Sequence, residues 1–168
     1  MREVVRLKDF DIKAINFSAY GASLVNLDEI GNPVTPLYNY IKPYPEDLRR
    51  RFYDTYGGEE LFSFTAASPV LGHLNSAMQL YWLKYRKPEV YKKIKYSLHL
   101  PQYISFLITG RYFSDITSIG CHTNLWDFSK NDYHEWVYRE GTIEKLAPIT
   151  PSDGVVEAAF DGKNWLQE

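Results

Sequence analysis

Residues Asn75–Gly110, NSAMQLYWLKYRKPEVYKKIKYSLHLPQYISFLITG, set the reading of the chain, because they spell out element boundaries by local chemistry alone. Leu74, Ala77, Met78, Tyr81, Trp82 and Tyr85 recur at three- and four-residue steps, which predicts a helix with one apolar stripe. Pro88 then stands where a first helical turn tolerates proline, since its missing N–H would have no intrahelical partner. Glu89 follows near the positive end of that second helix dipole, and Lys92, Lys93 and Lys95 fall towards its negative end. A short strand separates this helix from a third. Pro101 opens the third helix, and Gly110 closes it where a left-handed cap is needed.

Working outward, composition narrows the class. The chain has 168 residues, enough for one domain with a real core. Its formal net charge of −2 gives no general pull towards nucleic acid or an anionic membrane. No apolar run reaches the ~18 residues of a membrane helix, and Met1 is not followed by a secretion signal. The single cysteine, Cys121, excludes an internal disulfide and fits a reducing compartment, so a cytoplasmic location is expected. Aromatic content is high at 16%, with 14 tyrosines, a residue type that both packs half-buried and lines sugar sites.

Before the central stretch, Met1–Asp9 reads as the tail of a helix. FDIKAINFSAY alternates through Ile12, Ala14 and Phe17 and is expected as a partly buried strand, SLVNL as a second and VTPLYNY as a third. DEIGNP between the last two is turn chemistry. Pro45, followed by Glu46 and Asp47, opens a helix that Gly57-Gly58 ends. EELFSFTAASPVLG reads as loop with one helical turn. After the central stretch, SDITSIGCHTNLWDFSKND is loop by composition. Asn131 or Asp132 caps a helix through Arg139, and Gly141 lies past its end. IEKLAPITPSDGVV is irregular, and AAFDGKNWLQE forms a hairpin around Asp161-Gly162.

The order of these pieces, with NSAMQL and LPQYISFLITGRYFSD in series, resembles the FGGY family of carbohydrate kinases, and within it the rhamnulokinase-like members. Those members show Asn-Thr-x-x-Gln-Leu and then Leu-Pro-Asp followed by Leu-Thr-Gly. The resemblance runs from about Asp11 to Val156. It implies an α/β fold: a ribonuclease H-like (actin-like ATPase superfamily) domain fragment, with a small mixed β-sheet and a helical cluster. It implies that residues 1–168 are part of the sugar-binding N-terminal domain of an ATP-dependent kinase acting on a ketose or deoxyketose such as rhamnulose or xylulose. The nucleotide-binding C-terminal domain would be the missing partner. ATP and Mg²⁺ would serve the full-length kinase, and neither is expected to bind this piece tightly. The family's phosphate hairpin and its catalytic aspartate match nothing here, and neither GxxxxGK[ST] nor GxGxxG occurs. By the family's order of motifs the hairpin would lie before Met1, and the catalytic aspartate is expected beyond Glu168. No catalytic residue is therefore assigned, and the polypeptide alone is expected to be inactive.

What the resemblance leaves is the sugar side. SAYGASLVNLD aligns without gaps on Asp-Thr-Trp-Gly-Val-Asp-Phe-x-x-Leu-Asp. Tyr20 stands for the tryptophan and Gly21 for the glycine, while Ser18 and Ser23 replace carboxylates, which puts the sugar's identity in doubt. Gly21 reads equally as a turn glycine or as a place where a ligand approaches backbone. Tyr40, or Tyr38, supplies the ring that the family has near LYNYIKP, but Lys42 falls where it has an aspartate. Asn75 and Gln79 lie one helical turn apart, and amides both donate to and accept from hydroxyls. An N-cap at Asn75 and a solvated Gln79 account for the same residues. His122 and Thr123 fall in the loop that the family uses before Leu-x-Asp. No metal site is expected, because His73, His99, His122 and His134 lack ligand spacing. The lysine run with interleaved tyrosines fits solvated helix faces better than a nucleic-acid surface. A non-catalytic, stand-alone sugar-binding or regulatory module is the alternative.

Overall fold

The computed structural model describes residues 6, 7, 9–11 and 13–157. The expected N-terminal helix tail lies largely outside these residues, and the hairpin at Asp161-Gly162 wholly outside them. Glu168, beyond which the resemblance puts the catalytic aspartate, lies outside them as well. The element order is β1 (Leu24–Leu27), α1 (Glu46–Thr55), α2 (Glu59–Thr65), a 3-10 turn (Gly72–Leu74), α3 (Ser76–Arg86), α4 (Pro88–Lys93), β2 (Tyr96–His99) and α5 (Leu100–Thr109). There follow α6 (Ile116–Ile119), β3 (Trp126–Asp127), β4 (Asp132–Tyr133), α7 (Glu135–Arg139) and a second 3-10 turn (Thr142–Lys145). This is a mixed α/β architecture with small sheets.

The central stretch folds as its punctuation requires. Pro88 and Pro101 each occupy the first turn of their helices, and Gly110 caps α5 in the left-handed region at φ 67°. Helix α3 departs from a one-sided stripe. Ser76 through Tyr81 are all buried, as is Leu83, so α3 is the axial strut of the domain rather than a surface helix. Its surroundings come from α1, α2 and α7. Phe52 is fully buried and meets the rings of Tyr53, Tyr56, Phe62, Tyr81 and Trp136 at centroid distances of 5.0–5.2 Å, mostly edge to face. Such pairs add about 0.5–1.5 kcal/mol each beyond area burial. Most of the tyrosine reading thus resolves as packing.

The sheet is smaller than the expected meander. β1 pairs antiparallel with β2, some 70 residues on, with Leu24 opposite His99 and Leu27 opposite Tyr96. Residues 13–20 form no strand and are mostly exposed, with Ile15 48% accessible; no ladder partner adjoins them among the described residues. VTPLYNY forms no strand: Val34 N–H donates to Asn26 O at 2.9 Å, and the bridge beside it, to Leu27, is made by the preceding Pro33. Pro33 and Pro36 lack the N–H that would extend it. Parallel contacts survive only as isolated bridges, Ser97 with Leu146 and Ser114 with Ile149.

Two loops hold more structure than expected. Glu59 and Glu60 sit at the positive end of a real two-turn helix, α2, which buries Phe62. Asp115 caps the single turn α6 by accepting from the Thr117 and Ser118 backbone N–H groups. Helix α7 begins at His134 rather than at Asn131 or Asp132, because Asp132 is drawn into the β3–β4 hairpin.

Candidate functional site

A cleft of about 390 Å³ opens between the irregular segment 16–21, the first turns of α5, the Phe113–Cys121 loop and the Thr150–Val156 segment. Its wall is rich in hydroxyls: Ser18, Ser105, Ser114, Thr117, Ser118 and Thr150. Asp115 is the charged residue of that wall, and its carboxylate is already engaged. Oδ1 accepts from Thr117 N at 2.8 Å, Ser118 N at 3.1 Å and the Thr117 hydroxyl, and Oδ2 accepts from the Gln102 amide and from Ser118 Oγ at 3.3 Å. Five donors on two oxygens fill its acceptor capacity. Asp115 therefore holds the wall in shape and is not poised as a base.

Of the residues singled out from sequence, Gly21 lines this cleft. Its φ lies outside the left-handed region, and a Cβ built there would meet nothing within 4 Å. Neither backbone strain nor a protein neighbour demands glycine at 21. Tyr20 beside it is 71% exposed. Tyr40 lies elsewhere, in a shallower hollow with Tyr44, Leu71, Gly72 and Leu74. His122 is exposed, next to the cleft-lining Cys121, with φ at 53°. Thr123 is buried; its hydroxyl donates to Ile119 O and accepts from Leu125 N, and its carbonyl accepts from Ala77 N at 3.0 Å.

Asn75 and Gln79 line neither concavity and are buried, at 0% and 1% exposure. Asn75 is the N-cap residue of α3, as the plainer reading expects, though its side chain makes no capping bond, and Gln79 is buried rather than solvated. The Asn75 amide donates to Ser68 Oγ (2.8 Å), Pro69 O (3.2 Å) and His122 O (3.0 Å), and its oxygen accepts from Leu71 N (2.7 Å). Gln79 Nε2 donates to Ala22 O and His73 O, both at 2.8 Å. The two amides thus tie the cleft loops at 20–22 and 121–123 to the 68–74 segment that floors the Tyr40 hollow. They bring the family-motif segments together through backbone, while Tyr40 lines a different hollow from Gly21 and Tyr20 lines neither.

Sequence reasoning did not assign Gln102, Ser114 or Asp115 to the sugar site. LPQ forms the first turn of α5 and YFSD follows its end, so one ten-residue helix separates the two stretches, and neither stretch by itself marks a site. Behind them, His99 is fully buried, with Nε2 in a 2.9 Å hydrogen bond to Ser76 Oγ. Burial pushes its pKa down to about 4 against the opposing pull of Asp115, so the ring is neutral.

Fold and cleft together define a hydroxyl-lined α/β module of the sugar-kinase class. The sequence profile of the FGGY family of carbohydrate kinases, N-terminal domain, matches residues 1–158, and the chain belongs to that family. It is rhamnulokinase-like: it is 27% identical over 162 residues to a rhamnulokinase of Halalkalibacterium halodurans, covering 88% of this chain and 33% of that one. The solved structure of a carbohydrate kinase from Novosphingobium aromaticivorans superposes with a TM-score of 0.74 at 28% identity, over 89% of this chain and 31% of that one. A ligand-bound xylulose kinase from Lactobacillus acidophilus shares the fold, with a TM-score of 0.75 at 18% identity over 98% of this chain and 33% of that one. The chain spans about a third of the length of the relatives it matches. Among the described residues no helix is long and apolar enough to cross a membrane, and no group of three His, Cys, Asp or Glu is placed to hold a metal ion.

Proposed function

We propose that this chain supplies the sugar-holding side of an ATP-dependent carbohydrate kinase, acting in the cytoplasm on a ketose or deoxyketose of the rhamnulose or xylulose type. The fold we assign is the ribonuclease H-like one of the actin-like ATPase superfamily, with residues 1–168 as part of its N-terminal domain and a nucleotide-binding domain as its partner. The observation that carries the reading is the cleft. Family membership supplies the class, and the cleft supplies a polar, hydroxyl-rich wall with a single carboxylate whose acceptor positions are taken up by neighbouring donors. Such a surface suits an uncharged polyol, whose hydroxyls exchange with serine, threonine and amide groups at little desolvation cost.

These residues are assigned the sugar and not the nucleotide. Phosphoryl transfer requires a base beside the accepting hydroxyl and donors and metal around the phosphates. Asp115 is saturated by the donors around it, which leaves it no room to act as that base. On this reading the base is supplied by another part of the kinase. We therefore expect the 168-residue polypeptide alone to bind sugar weakly and to show no turnover in a coupled ADP-release assay.

The test is an amide-resolved NMR titration of the purified chain with L-rhamnulose and with D-xylulose. The reading expects shifts at Ser18, Gly21, Gln102, Ser114 and Thr117. Shifts confined to other surfaces, or none with either sugar, would overturn it.

A further inference from the structure

The cleft wall contains two polar atoms that the protein itself does not satisfy. Gln102 is 8% exposed, and Nε2 is committed to the Asp115 carboxylate and to Ser118 Oγ at 3.0 Å. That commitment fixes the amide: an oxygen turned towards Asp115 would face a carboxylate. Gln102 Oε1 is consequently an acceptor without a partner. Ser114 is 1% exposed, and its Oγ also has no partner. The Ser114 backbone, by contrast, is pinned on both sides: its N–H donates to Pro148 O and its carbonyl accepts from Thr150 N, each at 2.8 Å. Side-chain position is therefore well determined while the hydroxyl rotor is idle.

Leaving a buried polar atom unpaired costs about 1–3 kcal/mol. Two such atoms on the wall of one cleft are a standing cost that the free chain does not recover. A ligand hydroxyl recovers it, because a hydroxyl donates one hydrogen bond and accepts others, which is the complement of an amide oxygen beside a serine.

We propose that Gln102 Oε1 and Ser114 Oγ are specificity-determining groups that read a hydroxyl of the sugar, so that the cleft selects against analogues lacking it. This rests on the sugar reading of the cleft given above. Asp115 acts through Gln102 as a positioning residue, by holding the amide with its oxygen free.

The test compares the whole chain with Ser114→Ala and Gln102→Met by isothermal titration with D-xylulose and with L-rhamnulose, alongside thermal unfolding without sugar. Because Ser114 Oγ has no protein partner, S114A is expected to unfold at the same temperature as the parent or higher, while its affinity for whichever sugar the parent binds falls about ten-fold. Q102M is expected to lose affinity to a similar degree. Titration of 1-deoxy-D-xylulose against D-xylulose, and of L-rhamnulose against L-fructose, then asks whether removing one ligand hydroxyl erases the difference between parent and S114A. Erasure in either pair identifies the hydroxyl that is read. If the parent binds a sugar and both folded variants bind it equally well, the pair does not read it and the proposal fails while the sugar reading stands. If the parent binds none of the four sugars, the sugar reading fails and takes this proposal with it. A lower unfolding temperature of S114A with unchanged affinity would make Ser114 structural and overturn the proposal.

Discussion

Replacing Glu140 with alanine should cost this chain more stability than any comparable surface change. Glu140 follows α7 and reaches back across the domain. Its carboxylate accepts from Tyr56 Oη at 2.6 Å, from Tyr85 Oη at 2.8 Å and from Lys84 Nζ, which also donates to the Glu140 carbonyl at 2.6 Å. One side chain thereby joins the end of α1, the last turns of α3 and the end of α7. The carboxylate side chain is 12% exposed and the Lys84 side chain 28%. Burial alone would raise the Glu140 carboxyl, but the bonds from Lys84, Tyr56 and Tyr85 together outweigh it and hold the group below its ordinary value. Alanine would strand two phenol donors and a half-covered ammonium. Loss of one member of a buried pair costs about 3–5 kcal/mol, and the access of Lys84 to water argues for the low end, about 3 kcal/mol. For a domain of this size each kcal/mol moves the melting temperature by about 2–4 °C, so a fall of about 6–12 °C is expected. Glu140→Gln, which keeps one acceptor, should lose about half as much. The depressed carboxyl also fixes the pH signature. Its contribution is complete above the ordinary value of 4.5 and is lost as pH falls through the lower folded value, so the gap between parent and E140Q should close in acid. Urea unfolding at neutral pH decides the matter: E140A within about 0.5 kcal/mol of the parent would refute the argument that this cluster is a buried, coupled junction.

Three further outcomes follow from single sites. His99 is neutral in the fold at about 4 against an ordinary 6.5, so stability should be complete above 6.5 and fall by about 3 kcal/mol as pH drops through 4; a His99→Gln variant should flatten that dependence, and parallel urea midpoints for the two across this range would count against it. Gly110→Ala places a Cβ in the left-handed region at φ 67° with open space around it, so strain alone should cost about 1 kcal/mol, and unchanged unfolding would contradict the capping role. Asn75→Asp removes the donor that serves Ser68, Pro69 and His122 and turns a carboxylate on two carbonyls; it should destabilise by about 3 kcal/mol or more, and a variant as stable as the parent would show the amide bracket to be idle.

How much of this was legible in the sequence depended on whether the signal was local. Pro88, Pro101 and Gly110 act within one helical turn of themselves, and the three elements they bound lie where they predict. The pairing of β1 with β2 joins residues some 70 positions apart, and nothing in LVNL or YSLH names its partner. The alternation in FDIKAINFSAY suggested a strand, but a strand exists only through its ladder, and the described part of that segment has none. In the site, Gly21 was found through motif alignment. Gln102 and Ser114 could not be, since what marks them is an empty hydrogen-bond valence, a property of packing rather than of residue type. The 14 tyrosines likewise looked ambiguous between site and core until Tyr53, Tyr81 and Tyr91 were found in the core.

Asn75 and Gln79 join the two scales. Sequence reasoning offered them as sugar-reading amides because their spacing puts them on one helix face and because the family motif has amides there. Both are on α3 or at its mouth, but the first half of α3, Ser76–Tyr81, is buried on every side, and the amide valences accounted for in the structure go to backbone carbonyls, the Leu71 N–H and a serine. An amide suits that task for the same reason that it suits a sugar: it donates and accepts from one planar group. The motif therefore reports the chemistry of the residue without reporting its partner. On the sugar reading proposed above, a bracket in this position would still govern a ligand, because Gln79 holds Ala22, next to the cleft-lining Gly21, and Asn75 holds His122, next to the cleft-lining Cys121. Moving either loop by an ångström would alter what the cleft can hold as surely as changing a residue that touches the sugar. On that reading the groups lining the cleft and the amides behind them are two layers of one site, and α3 carries the inner layer.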